Sequence, residues 1–276
     1  MHDDARGGEA ELQDGHERLA RRVPRRRQDA RRIPAPGARR PLARVTLAVV
    51  TGASRGIGLA VADELRAAGF HVVRLARSLT DGSADRQTDL RCDVSDPAQV
   101  ERAVTNVRRE LGVPDVVVNN AGMFFIKRLE ETSPKDFAEL IAVNLTGLFL
   151  VARAFVPAMV ERGSGHLVTI GSISDHVAFS GSTAYAASKF GIRGMHEVIR
   201  AETAKSGVRT TLVSPGPVDT DIWDSVDPDS KPGFTKRKDM LRAEDVAAAV
   251  VWAVTRPPQV DVTEIRLQPT VYSPRG

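Results

Sequence analysis

The sequence has one cysteine, no long apolar run and no clustered metal ligands. Cys92 is the single cysteine among 276 residues, so the chain cannot form an internal disulfide. That suits a reducing compartment such as the cytoplasm, and we expect this thiol to have a buried packing role. No apolar run approaches the roughly 18 residues of a membrane span, so no transmembrane helix is predicted. The six histidines are scattered, and no metal site is expected.

Strand-like and helix-like segments alternate along most of the chain. This alternation predicts one α/β domain with a parallel sheet covered by helices on both faces, and the length fits a single domain with a substantial core. The predicted strands are Val45–Val50, His71–Ala76, Leu90–Asp93, Val116–Val118, His166–Ile170, Arg209–Val213 and Glu264–Leu267. The predicted helices are Ile57–Ala68, Pro97–Leu111, Pro134–Arg162, Ala184–Ser206 and Ala243–Thr255.

A glycine-rich segment joins the first predicted strand to the first predicted helix. It reads Thr51-Gly52-Ala53-Ser54-Arg55-Gly56-Ile57-Gly58. Glycine lets the backbone approach a pyrophosphate, which then binds free N–H groups at the helix N-terminus. Any tight connection between a strand and a helix favours glycine, but the strand before and the helix after supply the context that this motif requires.

A tyrosine and a lysine lie four residues apart, at Tyr185 and Lys189, and Ser172 lies thirteen positions before the tyrosine. Side chains at positions i and i+4 share one face of a helix, so the phenol and the ammonium are expected to point at one spot. A phenol with a pKa of about 10 exchanges protons poorly at neutral pH, and an adjacent cation would lower that pKa. The pattern alone also fits an ordinary amphipathic helix.

Three further segments complete a resemblance to the short-chain dehydrogenase/reductase family. They are Asn119-Asn120-Ala121-Gly122 after an apolar strand, Asn144 in the next long helix, and Pro215-Gly216-Pro217-Val218-Asp219-Thr220. The ordered motifs lie between about residue 45 and residue 270. The resemblance implies a single Rossmann-type domain over residues 45–276, with a doubly wound parallel sheet. It also implies hydride transfer between NADP(H) and an alcohol or carbonyl group.

The resemblance gives a role to each matching residue. Tyr185 would be the general acid in ketone reduction and the base in reverse, while Lys189 would lower its pKa and hold the ribose hydroxyls of the cofactor. Ser172 would hydrogen-bond the substrate oxygen, and Asn144 would anchor a water in a proton relay to Lys189. Asp93 and Val94 would contact the adenine, and Thr220 the nicotinamide carboxamide. The remaining expected cofactor contacts are Gly52, Ser54, Arg55, Gly56, Ile57, Gly58, Arg77, Asn120, Ala121, Gly122, Pro215, Gly216 and Val218.

Cofactor choice follows from the end of the second predicted strand. An NAD-binding site usually has an acid about 20 residues after the glycine turn, on the ribose 2′-hydroxyl. Here no acid occurs from His71 until Asp81. A small Ala76 followed by Arg77, with Arg55 in the glycine turn, can instead meet a 2′-phosphate through charge-assisted contacts. NADP is therefore favoured over NAD.

Several alternatives bear on the function. A serine hydrolase would need a Gly-x-Ser-x-Gly elbow, which Gly171-Ser172-Ile173-Ser174 lacks. A dinucleotide-sensing protein can use this fold without chemistry, but it has no reason to keep a reactive Tyr–Lys pair. A 3-oxoacyl thioester reductase is the competing enzyme. The segment Val262–Pro269 lacks the Gly-Gly ending of many such reductases and resembles the branch of NADP-dependent 3-hydroxy acid and serine dehydrogenases.

The substrate is not determined by these motifs. We expect a lid at Asp221–Arg242, with Trp223 and Phe234 as apolar walls. Its cations could attract an anionic substrate, although such a charge run is commonly only solvated; they are Lys231, Lys236, Arg237 and Lys238. The resemblance further implies a homo-oligomer, either a dimer or a tetramer.

Residues 1–44 differ in kind from the rest of the chain. They hold 12 of the 39 basic residues, all arginine, and 7 of the 35 acidic ones. Arg-rich arms can bind nucleic acid, but this one has no lysine, aromatic residue or apolar periodicity. Neither nucleic-acid nor membrane binding is expected, and the seven acids argue against a transit peptide. A disordered extension and a true start near Val45 are the two alternatives.

Overall fold

The computed structural model describes residues 46–272. Its core is one eight-stranded sheet in the order β3-β4-β2-β1-β5-β6-β7-β8, in which only β3 runs antiparallel to its neighbour. The predicted extension at residues 1–44 lies outside the described residues. The strands are β1 Leu47–Thr51, β2 His71–Ala76, β3 Gly82–Ala84, β4 Gln87–Arg91, β5 Val116–Asn119, β6 Gly165–Ile170, β7 Val208–Pro215 and β8 Glu264–Leu267.

Six α-helices connect the strands and cover both faces of the sheet. They are α1 Gly56–Ala67, α2 Pro97–Glu110, α3 Pro134–Ile141, α4 Gly147–Arg162, α5 Thr183–Glu202 and α6 Ala243–Val254. Successive residues of β1 point to opposite faces. Val49 packs with α2 and α4 on one side, and Val50 packs with α1 and α6 on the other. Both faces of the strand are therefore apolar, which confirms the predicted doubly wound sheet.

The segment between β2 and α2 differs from the prediction. The strand expected at Leu90–Asp93 begins earlier and is β4, Gln87–Arg91. It pairs in parallel with β2 and accepts the short β3 as an antiparallel edge strand. Ten residues separate Ala76 from Gln87, too few for the crossover helix that usually joins parallel strands. A short hairpin therefore takes the place of that helix.

The long helix predicted at Pro134–Arg162 has the expected limits but is not uniform. A π-helical turn at Ala142–Thr146 separates α3 from α4. This stretch of 29 residues is long and apolar enough to cross a membrane, by length and composition only, whereas the sequence prediction was that no helix of this kind occurs. A buried core helix passes the same test, and Val151, Phe155 and Met159 of α4 are buried against the sheet. Core packing therefore accounts for part of the hydropathy, since 39% of the most apolar 18-residue window is buried.

Candidate active site

The carboxyl ends of the parallel strands open into a cavity of about 770 Å³. In open α/β sheets this edge is where ligands bind. Of the residues predicted for the site, only Asn144 does not line this cavity. The others line it together: Gly52, Ser54, Arg55, Gly56, Ile57, Gly58, Arg77, Asp93, Val94, Asn120, Ala121, Gly122, Ser172, Tyr185, Lys189, Pro215, Gly216, Val218 and Thr220.

The glycine turn brings the backbone of α1 against this cavity. Gly52 and Gly56 have φ values of +65° and +56°, a region that side chains disfavour. A Cβ on Gly58 would lie 2.3 Å from the carbonyl oxygen of Gly52, so only glycine allows the turn to close on the helix. No side chain caps the N-terminus of α1, and its first turn has no acid. These N–H groups suit an anion.

Thr51 ties the glycine turn to the Asn-Asn-Ala-Gly segment. Its hydroxyl oxygen accepts hydrogen bonds from the backbone N–H groups of Asn120 and Ala121, each at 3.0 Å. The side-chain amide of Asn120 donates to the carbonyl of Thr51 at 2.8 Å and to that of Gly52 at 3.3 Å. Two motifs almost 70 residues apart in sequence thus form one rigid floor of the cavity.

Ser172, Tyr185 and Lys189 lie together at the cavity wall. Ser172 follows the end of β6, whereas Tyr185 and Lys189 lie one turn apart on α5. The Lys189 ammonium donates a hydrogen bond to the carbonyl of Ile170 at 3.1 Å and lies 5.6 Å from the centre of the Tyr185 ring. The helical spacing therefore places the phenol and the ammonium together, as predicted.

The electrostatics of this group differ from the sequence expectation. Burial raises the pKa of Tyr185 to about 12, and the Asp175 carboxylate acts in the same sense, while a hydrogen bond with Ser172 opposes both. Burial lowers the pKa of Lys189 to about 8. The expected lowering of the Tyr185 pKa by Lys189 is not found in this geometry. The phenol is therefore protonated at neutral pH and able to donate.

Asn144 lies behind the site rather than in it. Its side-chain oxygen accepts a hydrogen bond from the backbone N–H of Met123 at 2.8 Å, and its amide donates to the Met123 carbonyl at 3.0 Å. The amide also donates to the Ser188 hydroxyl at 3.1 Å. Asn144 belongs to the π-helical turn, a feature frequent at functional sites. Its side chain positions the chain after Gly122 relative to α5.

The two arginines predicted to meet a 2′-phosphate lie at the rim of the cavity. Arg77 directly follows β2 and lies 3.9 Å from Asp93, and Arg55 lies 3.8 Å from Asp221. Both guanidinium groups are mostly exposed, and within residues 46–272 each makes only this one long ion pair. The Asp93 carboxylate is held by Ser95, which donates its backbone N–H and its hydroxyl at 2.9 and 2.7 Å.

Sequence and structure comparisons agree with this geometry. The profile of the short chain dehydrogenase family matches residues 46–231. The chain belongs to the short-chain dehydrogenase family. It is an oxidoreductase of that family, and it is 34% identical over 230 residues to an uncharacterized oxidoreductase of Staphylococcus aureus (strain USA300). That alignment covers 81% of this chain and 96% of the relative.

Two solved dehydrogenases have similar structures. An alcohol dehydrogenase from the archaeon Thermococcus sibiricus, complexed with 5-hydroxy-NADP, has a TM-score of 0.73 and 31% identity, covering 83% of this chain and 99% of its own. The closed form of serine dehydrogenase complexed with NADP+ has a TM-score of 0.76 and 28% identity, covering 83% and 96%. These likenesses support the Rossmann-type fold predicted from the motifs.

One buried carboxylate of this dehydrogenase was not among the residues predicted for the site. Asp175 lies three residues after Ser172, and its carboxylate accepts from the backbone N–H of Ser172 at 3.2 Å and from the Ser214 hydroxyl at 2.6 Å. The Ser172 hydroxyl in turn accepts from the N–H of Ser174 at 3.1 Å. This is a capping box, and its Ser-x-x-Asp spacing is a sequence signal that could have located Asp175.

Two of the four predicted lid cations of the dehydrogenase, Lys236 and Arg237, bind groups of the loop itself. The Lys236 ammonium donates to the carbonyls of Pro228, Asp229 and Lys231 at 2.9–3.1 Å. The Arg237 guanidinium binds the carboxylates of Asp219 and Asp224. Neither side chain lines the cavity, so these two groups fold the lid rather than attract a substrate. Trp223 and Phe234 do line it, in agreement with their predicted place as apolar walls.

Proposed function

We propose that this short-chain dehydrogenase interconverts an alcohol and a ketone or aldehyde with NADP(H) as the hydride carrier and Tyr185 as general acid and base. One observation carries the proposal. Ser172, Tyr185 and Lys189 line the same cavity as the glycine turn and the apolar side chains of Trp223 and Phe234. A hydroxyl, a phenol and an ammonium at one place can hold a carbonyl oxygen, protonate it and stabilise the charge that develops.

The residues around the glycine turn fit NADP(H). The uncapped N-terminus of α1 suits a pyrophosphate, and Arg55 and Arg77 suit a 2′-phosphate that an acid at position 76 or 77 would repel. Both structural relatives described above carry NADP or a derivative of it in their names. When bound, the nicotinamide supplies or accepts the hydride.

The chain's own residues would handle the proton. In reduction, the protonated Tyr185 donates its phenolic proton to the carbonyl oxygen as negative charge develops there. Ser172 donates a hydrogen bond to the same oxygen, and the Lys189 ammonium stabilises the phenolate that remains. In oxidation, the phenolate removes the proton from the alcohol. Burial, which raises the Tyr185 pKa to about 12, favours the protonated form from which reduction starts.

An NADPH-oxidation screen tests this function. Purified protein is offered aldehydes, cyclic ketones, 3-oxo acids and 3-oxoacyl thioesters, with Tyr185→Phe as the matched control. We expect turnover of at least one class by the parent protein and none by the variant. NADPH binding without turnover of any carbonyl compound would indicate a dinucleotide-sensing protein instead, and a strict preference for thioesters would indicate the acyl-thioester reductase.

We also propose a homo-oligomer assembled through α4 and α5. Three large apolar side chains on these helices are 47–56% exposed, namely Phe149, Phe190 and Val198. The helices are neighbours, since Leu148 and Ile192 pack in one cluster, and exposed apolar surface of this kind marks association sites. Light scattering should give a dimer or tetramer mass that falls in a Phe149→Ser, Phe190→Ser double variant. A monomeric parent protein would refute the proposal.

A further inference from the structure

Beyond the reacting groups, the cavity is walled by aromatic rings. The Phe124 ring meets the Tyr185 ring edge to face, with centres 4.7 Å apart at 72°. The Trp223 ring meets Phe124 at 5.0 Å and 64°, and Phe234 meets Trp223 at 6.4 Å and 76°. These are the separations and angles at which aromatic pairs attract. We name Phe124, Trp223 and Phe234, all of which line the cavity, the aromatic end.

The aromatic end is held in place by contacts from two loops. Phe124 comes from the loop after β5, which Asn144 fixes through Met123. Trp223 and Phe234 come from the segment between β7 and α6. The indole N–H of Trp223 donates to the Val218 carbonyl at 3.1 Å, so its one polar atom is satisfied by the protein. The indole therefore brings no unsatisfied polar atom to the cavity wall.

Charge is distributed unevenly along the cavity. Its charged lining residues, within the part of the chain that the structure describes, are Arg55, Arg77, Asp93, Lys189 and Asp221. The first three belong to the expected cofactor contacts, and Asp221 pairs with Arg55. Lys189 donates to the Ile170 carbonyl. Each cation that lines the cavity within residues 46–272 is therefore already paired or hydrogen-bonded to another group, and each belongs to the expected cofactor contacts, so none is assigned to the aromatic end.

This arrangement selects against anions. A carboxylate transferred from water to an apolar site without a cationic partner loses its hydration and gains no ion pair. An aromatic ring gains burial and edge-to-face contact in the same place. The aromatic end therefore suits a flat, uncharged group attached to the reacting carbonyl.

We propose that the substrate is a neutral ketone or aldehyde whose carbonyl bears an aromatic or comparably flat apolar group, and not a 3-oxo acid or another anion. This inference rests on the proposed carbonyl reduction and adds the substrate class to it. It differs from what the name of the serine dehydrogenase relative would suggest, because an amino acid or hydroxy acid brings a carboxylate to this end of the site.

Matched substrates test the charge and the ring separately. Ethyl benzoylacetate and benzoylacetate share a ring and a ketone and differ in charge, while ethyl acetoacetate replaces the ring with a methyl group. We expect kcat/KM for the phenyl ester to exceed that for the acid by about tenfold or more. It should exceed that for the methyl ester by roughly threefold to tenfold. Equal or better turnover of the acid would overturn the proposal.

A pair of tryptophan variants localises the effect. Trp223→Ala should lower kcat/KM for the phenyl ester by a larger factor than for the methyl ester. Trp252 is the matched control because it lies on α6, is half exposed and is covered by Arg256 rather than by the cavity. Trp252→Ala should leave both substrates unaffected. Equal losses for both esters in Trp223→Ala would contradict a ring-binding role.

Binding can be measured without turnover, which separates this inference from the proposed function. The chain has two tryptophans, so Trp252→Phe leaves Trp223 as the single indole reporter. Saturable quenching by ethyl benzoylacetate and none by benzoylacetate would support the substrate class even in an inactive protein. Quenching by the acid at equal concentration would refute the class, whereas absent NADPH oxidation with every carbonyl compound would refute the proposed function alone.

Discussion

The carboxylate of Asp175 accepts a hydrogen bond from the backbone N–H of Ser172 at 3.2 Å. It is buried, and a Cβ at position 171 would lie 2.3 Å from it, so any side chain there would displace this carboxylate. His176 lies 3.1 Å from its other oxygen and Arg193 lies 3.8 Å away. Arg193 also binds Glu264. The buried Asp175 carboxylate and the groups around it thus hold Ser172 in position.

Asp175→Asn tests this support. The negative charge raises the pKa of both Tyr185 and Lys189, so its loss should lower both. The pH profile of alcohol oxidation should then move to lower pH, because the phenol would deprotonate sooner. We also expect kcat to fall by about 10- to 100-fold, because a neutral amide oxygen holds Ser172 and Ser214 less firmly than a carboxylate does. Initial rates across pH with saturating alcohol measure both effects.

Glu264→Gln is the matched control for Asp175. It removes a carboxylate from the same network, since Glu264 binds His176 and Arg193, but that carboxylate is not among the charges that act on Tyr185. Its pH profile should coincide with that of the parent enzyme. Equal displacement of both profiles would mean that the network acts through general destabilisation.

Variants of Tyr185 and Lys189 should separate effects on turnover from effects on NADPH binding. Tyr185→Phe removes the transferable proton but keeps the ring that packs on Phe124, so we expect turnover to be lost and NADPH affinity to change little. Lys189→Ala should weaken both, because the resemblance assigns it contacts to the ribose as well. Steady-state rates and NADPH fluorescence titration measure the split. Retained turnover within about tenfold in the Phe variant would refute the role of Tyr185 as general acid.

Arg77 should determine cofactor preference. One charge-assisted contact contributes about 1.5–3 kcal/mol, so Arg77→Ala should cost NADPH about 10- to 150-fold in kcat/KM. NADH lacks the phosphate and should respond little. Adding Ala76→Asp should repel the phosphate and accept from the ribose hydroxyl, moving preference further. Both cofactors are compared at one salt concentration, because screening weakens exposed contacts. A parent enzyme that already prefers NADH would contradict this interpretation.

Two buried histidines should make the fold sensitive to acid. The His166 ring contacts the Thr211 hydroxyl at 2.7 Å and the His196 ring contacts that of Thr169 at 3.0 Å. The second nitrogen of each ring is buried and has no hydrogen-bond partner within residues 46–272. Burial lowers the pKa of His166 to about 3 and that of His196 to about 4. Both rings are therefore neutral in the folded protein at pH values where the unfolded chain is protonated.

The direction of the pH effect follows from these values. As pH falls below about 6.5, the unfolded chain takes up protons that the folded one does not, so the free energy of unfolding decreases. Each histidine should contribute a loss of about 2 kcal/mol between pH 7 and pH 5. Urea unfolding at both pH values measures the loss, and His196→Gln should reduce it by about half. An unchanged loss in that variant would assign the effect to the carboxylates.

Local signals in the sequence were sufficient to predict the fold and many of the residues that line the cavity. The apolar strand before Thr51, the glycine turn and the following helix are each recognised within about 20 residues, because backbone conformation and the period of apolar residues are local properties. The strand predicted at His71–Ala76 has those limits in the structure. The Tyr185–Lys189 pair was equally accessible, because its geometry follows from helix periodicity alone.

Contacts between segments that are far apart in sequence are determined only by the tertiary structure. Phe124, Trp223 and Phe234 are separated by up to 110 positions, and nothing in their neighbourhoods predicts that their rings meet. The pKa of Tyr185 was expected to fall beside Lys189, yet burial raises it. The burial of a group depends on every element packed around it, so a local sequence pattern cannot predict the resulting pKa. The motifs therefore indicate which atoms react, whereas the packing of separate loops determines what can reach them.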